Sequence, residues 1–518
     1  MNSNIKSLHQ QAQSALNQGE YKLAHQCLLS ILQQDKYFAD AYFLLAMIAS
    51  AHQNFAKAIE LIKQADVLAP NNAEYLAQLA KHYALENNHV LAVAIAEKTA
   101  CLPSISALTF DTLGVAYSQI GLHEKSVGLF KQAIALDKSK AMYFFNLGAS
   151  LKFIGDFAGA RAAYEKTIEL APTYCKAHAA LSSLGGISEQ KNNIERLTSL
   201  FEQSINIDDK LYIGHALARE YEALKNYSQA FEYLMAAKQA KVETLEYSIN
   251  DDKAMFACLQ KTFQENPLKI NEGFDSTEAL FVVGMPRTGT TLVERILSQH
   301  SEVTSAGELQ HFGLLVKKMS GTSTNRVIDV DTILAAQSID YKKLGQAYID
   351  STRAITGKTA KFVDKMPLNV LYVGFILQAL PKAKIVCLDR NPLDTIMSNF
   401  RQLFAVNFSY YNYSYALNST TEFYLLFKSL AEFWLKQYSE NFYLVDYEKL
   451  VNNPEVEARK LVEFCDLTWQ AQCLEIDKNN APVATASAVQ VRSPISAKNI
   501  GNWKKYQAFL QPVHKILE

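Results

Sequence analysis

The residues best equipped for chemistry in this 518-residue chain stand in one stretch, Ala279-Leu-Phe-Val-Val-Gly-Met-Pro-Arg-Thr-Gly-Thr-Thr-Leu292. Leu280 to Val283 reads as a buried strand. The run breaks at Gly284, turns through Pro286 and Gly289, and enters a helical pattern with Leu292, Ile296 and Leu297 on one face. Strand, tight glycine turn and helix aim several backbone N–H groups and the positive end of a helix dipole at one point, which suits a phosphate or sulfate. The nucleotide P-loop reads G-x-x-x-x-G-K-[ST]. Gly284 and Gly289 have that spacing, but Thr290 stands where the Lys belongs and Thr291 follows it. Arg287 places a cation inside the turn instead. A bare glycine turn can be purely structural; an Arg and Thr hydroxyls in the same turn favour an anion site.

A second constellation is Asp389-Arg390-Asn-Pro392-Leu-Asp394-Thr-Ile-Met-Ser398-Asn399. Arg390 closes an apolar run, and Pro392 sits where a first-turn proline starts a helix. Ser398 then lies about two turns in, on a face Arg390 can share. Arg with Ser suits a phosphate monoester. Two plainer readings compete: Asp389 as a strand-end Mg²⁺ ligand, and Arg390 as a partner of Asp394.

The elements that must position these residues alternate. Apolar runs recur at 361–364, 384–388 and 442–445, separated by helical patterns over 369–380, 393–403, 420–438 and 454–464. Alternation of this kind predicts a parallel sheet with helices on both faces and ligands at the carboxyl ends of the strands.

The first half of the chain has a different grammar. Tyr21, Phe55, His89, His123 and Phe157 recur every 34 residues, and Ala24, Ala58, Ala92, Ser126 and Ala160 follow three positions later. Leu45, Leu79, Leu113 and Leu147 mark a preceding helix, with Gly114 and Gly148 beside two of them, and Pro70 and Pro172 close two units. The spacing resembles tetratricopeptide repeats, two helices per unit. After Phe157 the phase slips: Tyr227 lies 70 residues on, which implies a degenerate unit near 180–205 and a more regular one near 211–244. His89 and His123 read as packing residues. The expected organisation is an all-α repeat solenoid over 1–245, a linker over 246–276, and a P-loop-like α/β domain with a central parallel sheet over 277–518. Repeat arrays present a concave face, here expected to take a protein or peptide; a structural spacer or a homo-oligomer contact is the alternative.

Composition limits the function classes. A formal net charge of −1 argues against a nucleic-acid protein held by nonspecific electrostatics. No apolar run approaches the roughly 18–20 residues of a membrane-spanning helix, and the first residues lack a signal-peptide apolar region. The seven cysteines are scattered with no C-x-x-C pair, so neither a disulfide framework nor zinc spacing is present, and a cytoplasmic setting is expected.

Gly284 to Leu292 with Arg390 and Ser398 resembles the phosphosulfate-binding motifs of sulfotransferases that use 3′-phosphoadenosine 5′-phosphosulfate (PAPS). The motifs are similar to those of tyrosylprotein sulfotransferases and of bacterial sulfotransferases carrying tetratricopeptide repeats, over about 277–504. The resemblance implies that Arg287, Thr288, Gly289, Thr290 and Thr291 hold the 5′-phosphosulfate, and that Arg390 and Ser398 hold the 3′-phosphate. It adds Tyr447, in Val445-Asp-Tyr-Glu-Lys-Leu450, and Ser487 as cofactor contacts, with Arg492 and Lys504 as weaker candidates. Glu308, 21 residues after Arg287, matches the catalytic Glu of the tyrosylprotein enzymes. Gly307 replaces a second Glu of that motif and the following Arg is absent, which leaves the acceptor open. His311 is the rival base, with a surface helix position as its bland reading. Lys365, in Val363-Asp-Lys-Met-Pro367, matches the Lys that neutralises the leaving group, where a strand-end Lys is ordinarily just solvated. The aromatic run Tyr410 to Tyr415 suits either an acceptor cleft or interdomain packing. PAPS is the implied co-substrate, with no metal. The competing readings are a Mg²⁺-dependent P-loop kinase and a repeat scaffold with a silent sulfotransferase-like domain.

Overall fold

The computed structural model describes residues 3–265, 272–324, 326–406, 408–479 and 494–518. The chain falls into two compact units, Met1–Pro172 and Thr173–Glu518.

The first unit is a series of antiparallel helix pairs, and the period read from sequence is its architecture. The second helices of the pairs begin at Tyr21, Phe55, His89, His123 and Phe157. Asn54, Asn88 and Asp156 cap three of them by accepting N–H groups of the first turn. Ala24, Ala58, Ala92, Ser126 and Ala160 are buried where the helices cross. Gly114 shows why the crossing needs small residues: a Cβ there would stand 2.5 Å from the Phe130 ring.

His89 and His123 occupy the aromatic position and are buried. Burial pushes both imidazoles down to about 4, whereas an unfolded His takes up its proton near pH 6.5. Their contribution to stability is therefore complete above about pH 6.5 and is lost as pH falls towards 4. Replacing both by Phe is expected to stabilise this unit at pH 5.5 by about 1 kcal/mol per site. Thermal melts at pH 5.5 and 7.5 check this; the gain should vanish at the higher pH.

In the second unit the repeats continue in altered form. Helices Cys175–Ser182 and Ile194–Gln203 are short and joined by a long connection, which accounts for the slip in phase. Helices Ile207–Ala223 and Tyr227–Val242 restore the pair, with Asn226 as cap and Ala230 fully buried. The stretch read as a linker carries a further helix, Ile249–Glu265. Ala218, Phe231, Leu234, Phe256 and Phe263 share one core with Phe281, Phe312 and Trp434. The compact boundary thus lies at 172/173 rather than near 245, because the last helices bury their apolar faces against the α/β fold.

That fold is built on five strands: β1 Ala279–Gly284, β2 Val303–Ser305, β3 Lys361–Asp364, β4 Lys384–Asp389 and β5 Phe442–Asp446. They form one parallel sheet in the order β2-β3-β1-β4-β5. β1 is central and buried throughout, as a continuous apolar run in a parallel sheet should be. β2, three residues long, has no counterpart in the sequence reading. Among the described residues no helix is long and apolar enough to cross a membrane.

Candidate functional site

Strand register decides which side chains meet. Gly284 pairs with Leu388, so the turn after β1 and Arg390 leave the sheet side by side. Asp389 pairs with Asp446, which sets Tyr447 beside Arg390; the guanidinium lies 4.6 Å from the ring centre. Ser305 pairs with Val363, and the ladder continues from Ala306 N–H to Val363 O and from Lys365 N–H to Gly307 O, 2.8 Å each. Glu308 is thereby delivered to Lys365, whose ammonium donates to its carboxylate. All of these residues stand at the carboxyl ends of parallel strands, where open α/β sheets bind ligands.

The turn after β1 is held in an uncommon conformation. Arg287 has φ +69° and Gly289 φ +109°. A non-glycine residue stays in that region only when its surroundings over-determine it. Arg390 Nη1 donates to Arg287 O at 2.9 Å, Asn399 Nδ2 to Pro286 O at 2.6 Å, and Thr288 Oγ1 to Met285 O at 2.7 Å. Glycine is required at 289, since a Cβ would stand 2.5 Å from Tyr447 Cδ2. Helix Thr290–Ser298 then starts without a side-chain cap. The N–H groups of Gly289, Thr290 and Thr291 find no hydrogen-bond acceptor among the described residues. They are the orphan donors of a helix N-terminus, an anion site in waiting.

A cleft of about 210 Å³ opens over these donors. Arg287, Gly289, Thr290, Thr291, Arg390, Ser398, Tyr447 and Glu308 all line it. Among the described residues its charged lining is Arg287, Arg390, Arg401 and Lys498 against the carboxylate of Glu308. Burial, with Arg219, Arg390 and Arg401 nearby, pulls the Arg287 guanidinium down to about 10. Cations crowded in this way favour an anion among them.

Both carboxylates of the second constellation have partners. Asp389 Oδ2 takes Lys428 Nζ at 2.7 Å, so its carboxylate already has a cation. Asp394 stands 4.0 Å from Arg390 Nη2 but accepts the N–H groups of Gly501 and Trp503 at 2.6 and 3.0 Å. Arg390 Nη2 donates to Asn499 O at 2.6 Å. Asp394 and Arg390 together clasp the C-terminal segment beside the cleft.

Several placements differ from the sequence reading. Lys365, expected as the cation that neutralises the leaving group, is fully buried with Glu294 Oε2 3.8 Å away on its other side and is not among the described residues that line the cleft. His311 is no surface residue: it is buried beside Ser351 Oγ at 3.2 Å and does not line the cleft. The Thr288 side chain turns back into the loop. Lys504 is exposed and off the cleft, where Lys498 stands instead. Ser487 and Arg492 lie outside the described residues. The aromatic run divides its labour: Tyr411 lines the cleft, stacked on Phe404 at 4.4 Å, while Tyr413 stacks on Phe423 at 3.9 Å in the core.

Arg401, like Lys498, is a cleft residue the sequence reading missed. It follows Ser398 by three positions, the spacing that keeps two residues on one helix face, and that offset was available to find it.

Residues 279–471 match the Sulfotransferase family, and residues 39–72 and 143–174 match the tetratricopeptide repeat. An uncharacterized protein of Aquifex aeolicus (strain VF5) is 30% identical over 412 residues, covering 77% of this chain and 53% of that protein. Protein-tyrosine sulfotransferase A of Caenorhabditis elegans is 22% identical over 259 residues, 46% of this chain and 65% of that protein. The chain thus spans between half and two thirds of the length of these relatives. A solved thermophilic TPR protein of Thermus thermophilus is 18% identical with a TM-score of 0.32, covering 35% of this chain and 98% of that one. Residues 279–471 are a sulfotransferase-family domain, carried on one chain with tetratricopeptide repeats.

Proposed function

We propose that this chain is a sulfotransferase that moves the sulfuryl group of PAPS to an acceptor hydroxyl, with the repeats recruiting the acceptor or a partner protein. One observation carries the reading: the open N–H groups at Gly289, Thr290 and Thr291 in a cleft lined by three arginines and no P-loop Lys. Arg287, Thr290, Thr291 and the backbone of 288–289 would hold the 5′-phosphosulfate. Arg390 and Ser398 would hold the 3′-phosphate, with Tyr447 packed on Gly289.

Bound PAPS supplies a sulfuryl group already attached to a good phosphate leaving group. The chain supplies position and charge, the terms that dominate such transfers. Glu308 takes the acceptor proton. Lys365, held between Glu308 and Glu294, orients that carboxylate, and Arg287 in the cleft wall brings a cation to the oxygen on which charge builds. The stacked Phe404 and Tyr411 form an aromatic wall that suits a flat phenolic acceptor such as a protein tyrosine. The scattered cysteines, with no C-x-x-C pair, favour a reducing, cytoplasmic setting.

Asp364, beside Lys365, gives the reaction a pH dependence. Its buried carboxyl is pushed up to about 7 by that burial, although Tyr348 OH donates to it at 2.7 Å and Leu309 N–H reaches it at 3.4 Å. Ionised, it anchors the Glu308 loop. Turnover is expected to rise through about pH 7, and Asp364→Asn should flatten that limb of the kcat profile.

The test of the function is direct. The full chain is incubated with sulfur-labelled PAPS and hydroxyl acceptors of three kinds: tyrosine peptides, sugars and small phenols. Label should appear on an acceptor without added Mg²⁺. Label transferred to none of the three would refute the reading.

A further inference from the structure

The cleft wall after helix Pro392–Phe400 is not held by the α/β fold alone. Arg401 caps that helix and lines the cleft. Its counter-charge comes from 179 residues earlier: Nε and Nη2 donate side by side to the two carboxylate oxygens of Glu222. Glu222 is the penultimate residue of repeat helix Ile207–Ala223. Tyr506 OH donates to the same carboxylate, and its ring lies 5.3 Å under the Arg401 guanidinium. Tyr227 and Phe231 of the partner helix meet Tyr506 edge-on and tilted, at 5.7 and 6.1 Å. A second tether reaches the same wall: Lys238, buried on helix Tyr227–Val242, donates to Ser414 O at 2.8 Å in the loop that carries Tyr411.

We infer that Glu222, on the terminal repeat, is a positioning residue of the transfer site: it fixes Arg401 in the wall that receives the anionic co-substrate. The inference rests on the PAPS reading above. The geometry is a bidentate fork, which consumes one edge of the guanidinium and leaves Nη1 without a partner among the described residues. The electrostatics give the reason for a carboxylate there. Arg219, Arg390 and Arg401 all act on Arg287, and Glu222, despite its burial, is held below its ordinary range by Arg401, Tyr506 and Arg219. Without it, Arg401 loses its bidentate partner beside Arg219 and Arg287, and its flexible side chain is freed to leave the wall. The terminal repeat would then be part of the active site and not only a recruiter of acceptors.

The test is a double-variant cycle read by calorimetric titration of 3′-phosphoadenosine 5′-phosphate (PAP) into the full chain. Glu222→Gln is expected to weaken PAP binding by about tenfold, the worth of one charge-assisted contact. The same change in an Arg401→Ala background should alter PAP affinity by less than about twofold, because Glu222 then has nothing to position. A wild-type chain that binds PAP, with Glu222→Gln equal to it, overturns the inference alone. So does an equal loss in both backgrounds, the mark of a merely structural role. A wild-type chain that binds no PAP overturns the PAPS reading and the inference with it. Tyr506→Phe removes only one donor to Glu222 and leaves the ion pair; it should weaken PAP by about two- to threefold, and it reads the same linkage if Glu222→Gln fails to fold.

Discussion

Arg287→Ala should lower kcat/KM for sulfuryl transfer by about 10²–10³-fold, the usual cost of one preorganised charge-stabilising donor. The guanidinium stands in the turn that also presents the open N–H groups, so it meets charge that develops where the sulfuryl group leaves. Its backbone, at φ +69°, complicates the substitution, because alanine is strained there as well. Arg287→Gly separates the two effects. Glycine accepts the left-handed conformation, so the Gly variant should keep the thermal stability of the wild type while losing as much activity as the Ala variant. Arg287→Lys retains charge without the fork and should fall between. Steady-state kinetics with melting curves on all three variants provide the check. If the Gly variant keeps wild-type kcat/KM, the turn is a structural device.

The second large effect falls on Glu308 and Lys365. Glu308→Gln preserves shape and removes the base; kcat is expected to drop by about 10²–10⁴-fold. PAP affinity should be nearly unchanged, since the carboxylate serves the acceptor. Lys365→Met differs in kind. Lys365 is fully buried between the exposed Glu308 and the buried Glu294, and its loss takes the cation from beside the Glu294 carboxylate, which lowers stability. Glu294 also accepts from Ser305 Oγ at 2.5 Å, which ties the helix after the anion turn to β2. Lys365→Met is therefore expected to reduce both Tm and kcat, whereas Glu308→Gln, which leaves Lys365 its second carboxylate on Glu294, reduces kcat with a smaller loss of Tm. Equal melting points for the two variants would contradict the buried role of Lys365.

The parts of the site legible in the sequence are those that lie within a few residues of a long apolar strand. β1, β4 and β5 announce themselves by composition, and Arg287, Arg390 and Tyr447 follow them directly. The repeat period was equally plain, because one helix must start with an aromatic or His and cross its neighbour at a small residue. What stayed hidden depends on contacts between distant segments. A three-residue strand such as β2 has too little sequence to show a pattern, yet it carries Glu308 to Lys365. Burial of Lys365 and His311 follows from elements packed over them, which a local pattern does not report. Glu222 reads as an ordinary polar residue on a repeat helix; only the packing of helices 207–242 onto the α/β core turns it towards Arg401. For the same reason, a fragment ending at 245 would strip Phe231 and Leu234 of the core they share with the sheet.

The central claim is that the cleft above Gly289–Thr291 binds a phosphosulfate nucleotide through arginines and backbone N–H groups. Its most direct test is a calorimetric comparison of PAP with ATP on the full chain, each with and without Mg²⁺. PAP should bind with an affinity independent of Mg²⁺ and more tightly than ATP. ATP binding that requires Mg²⁺ and exceeds that of PAP would contradict the account and identify the turn as a nucleotide-triphosphate loop.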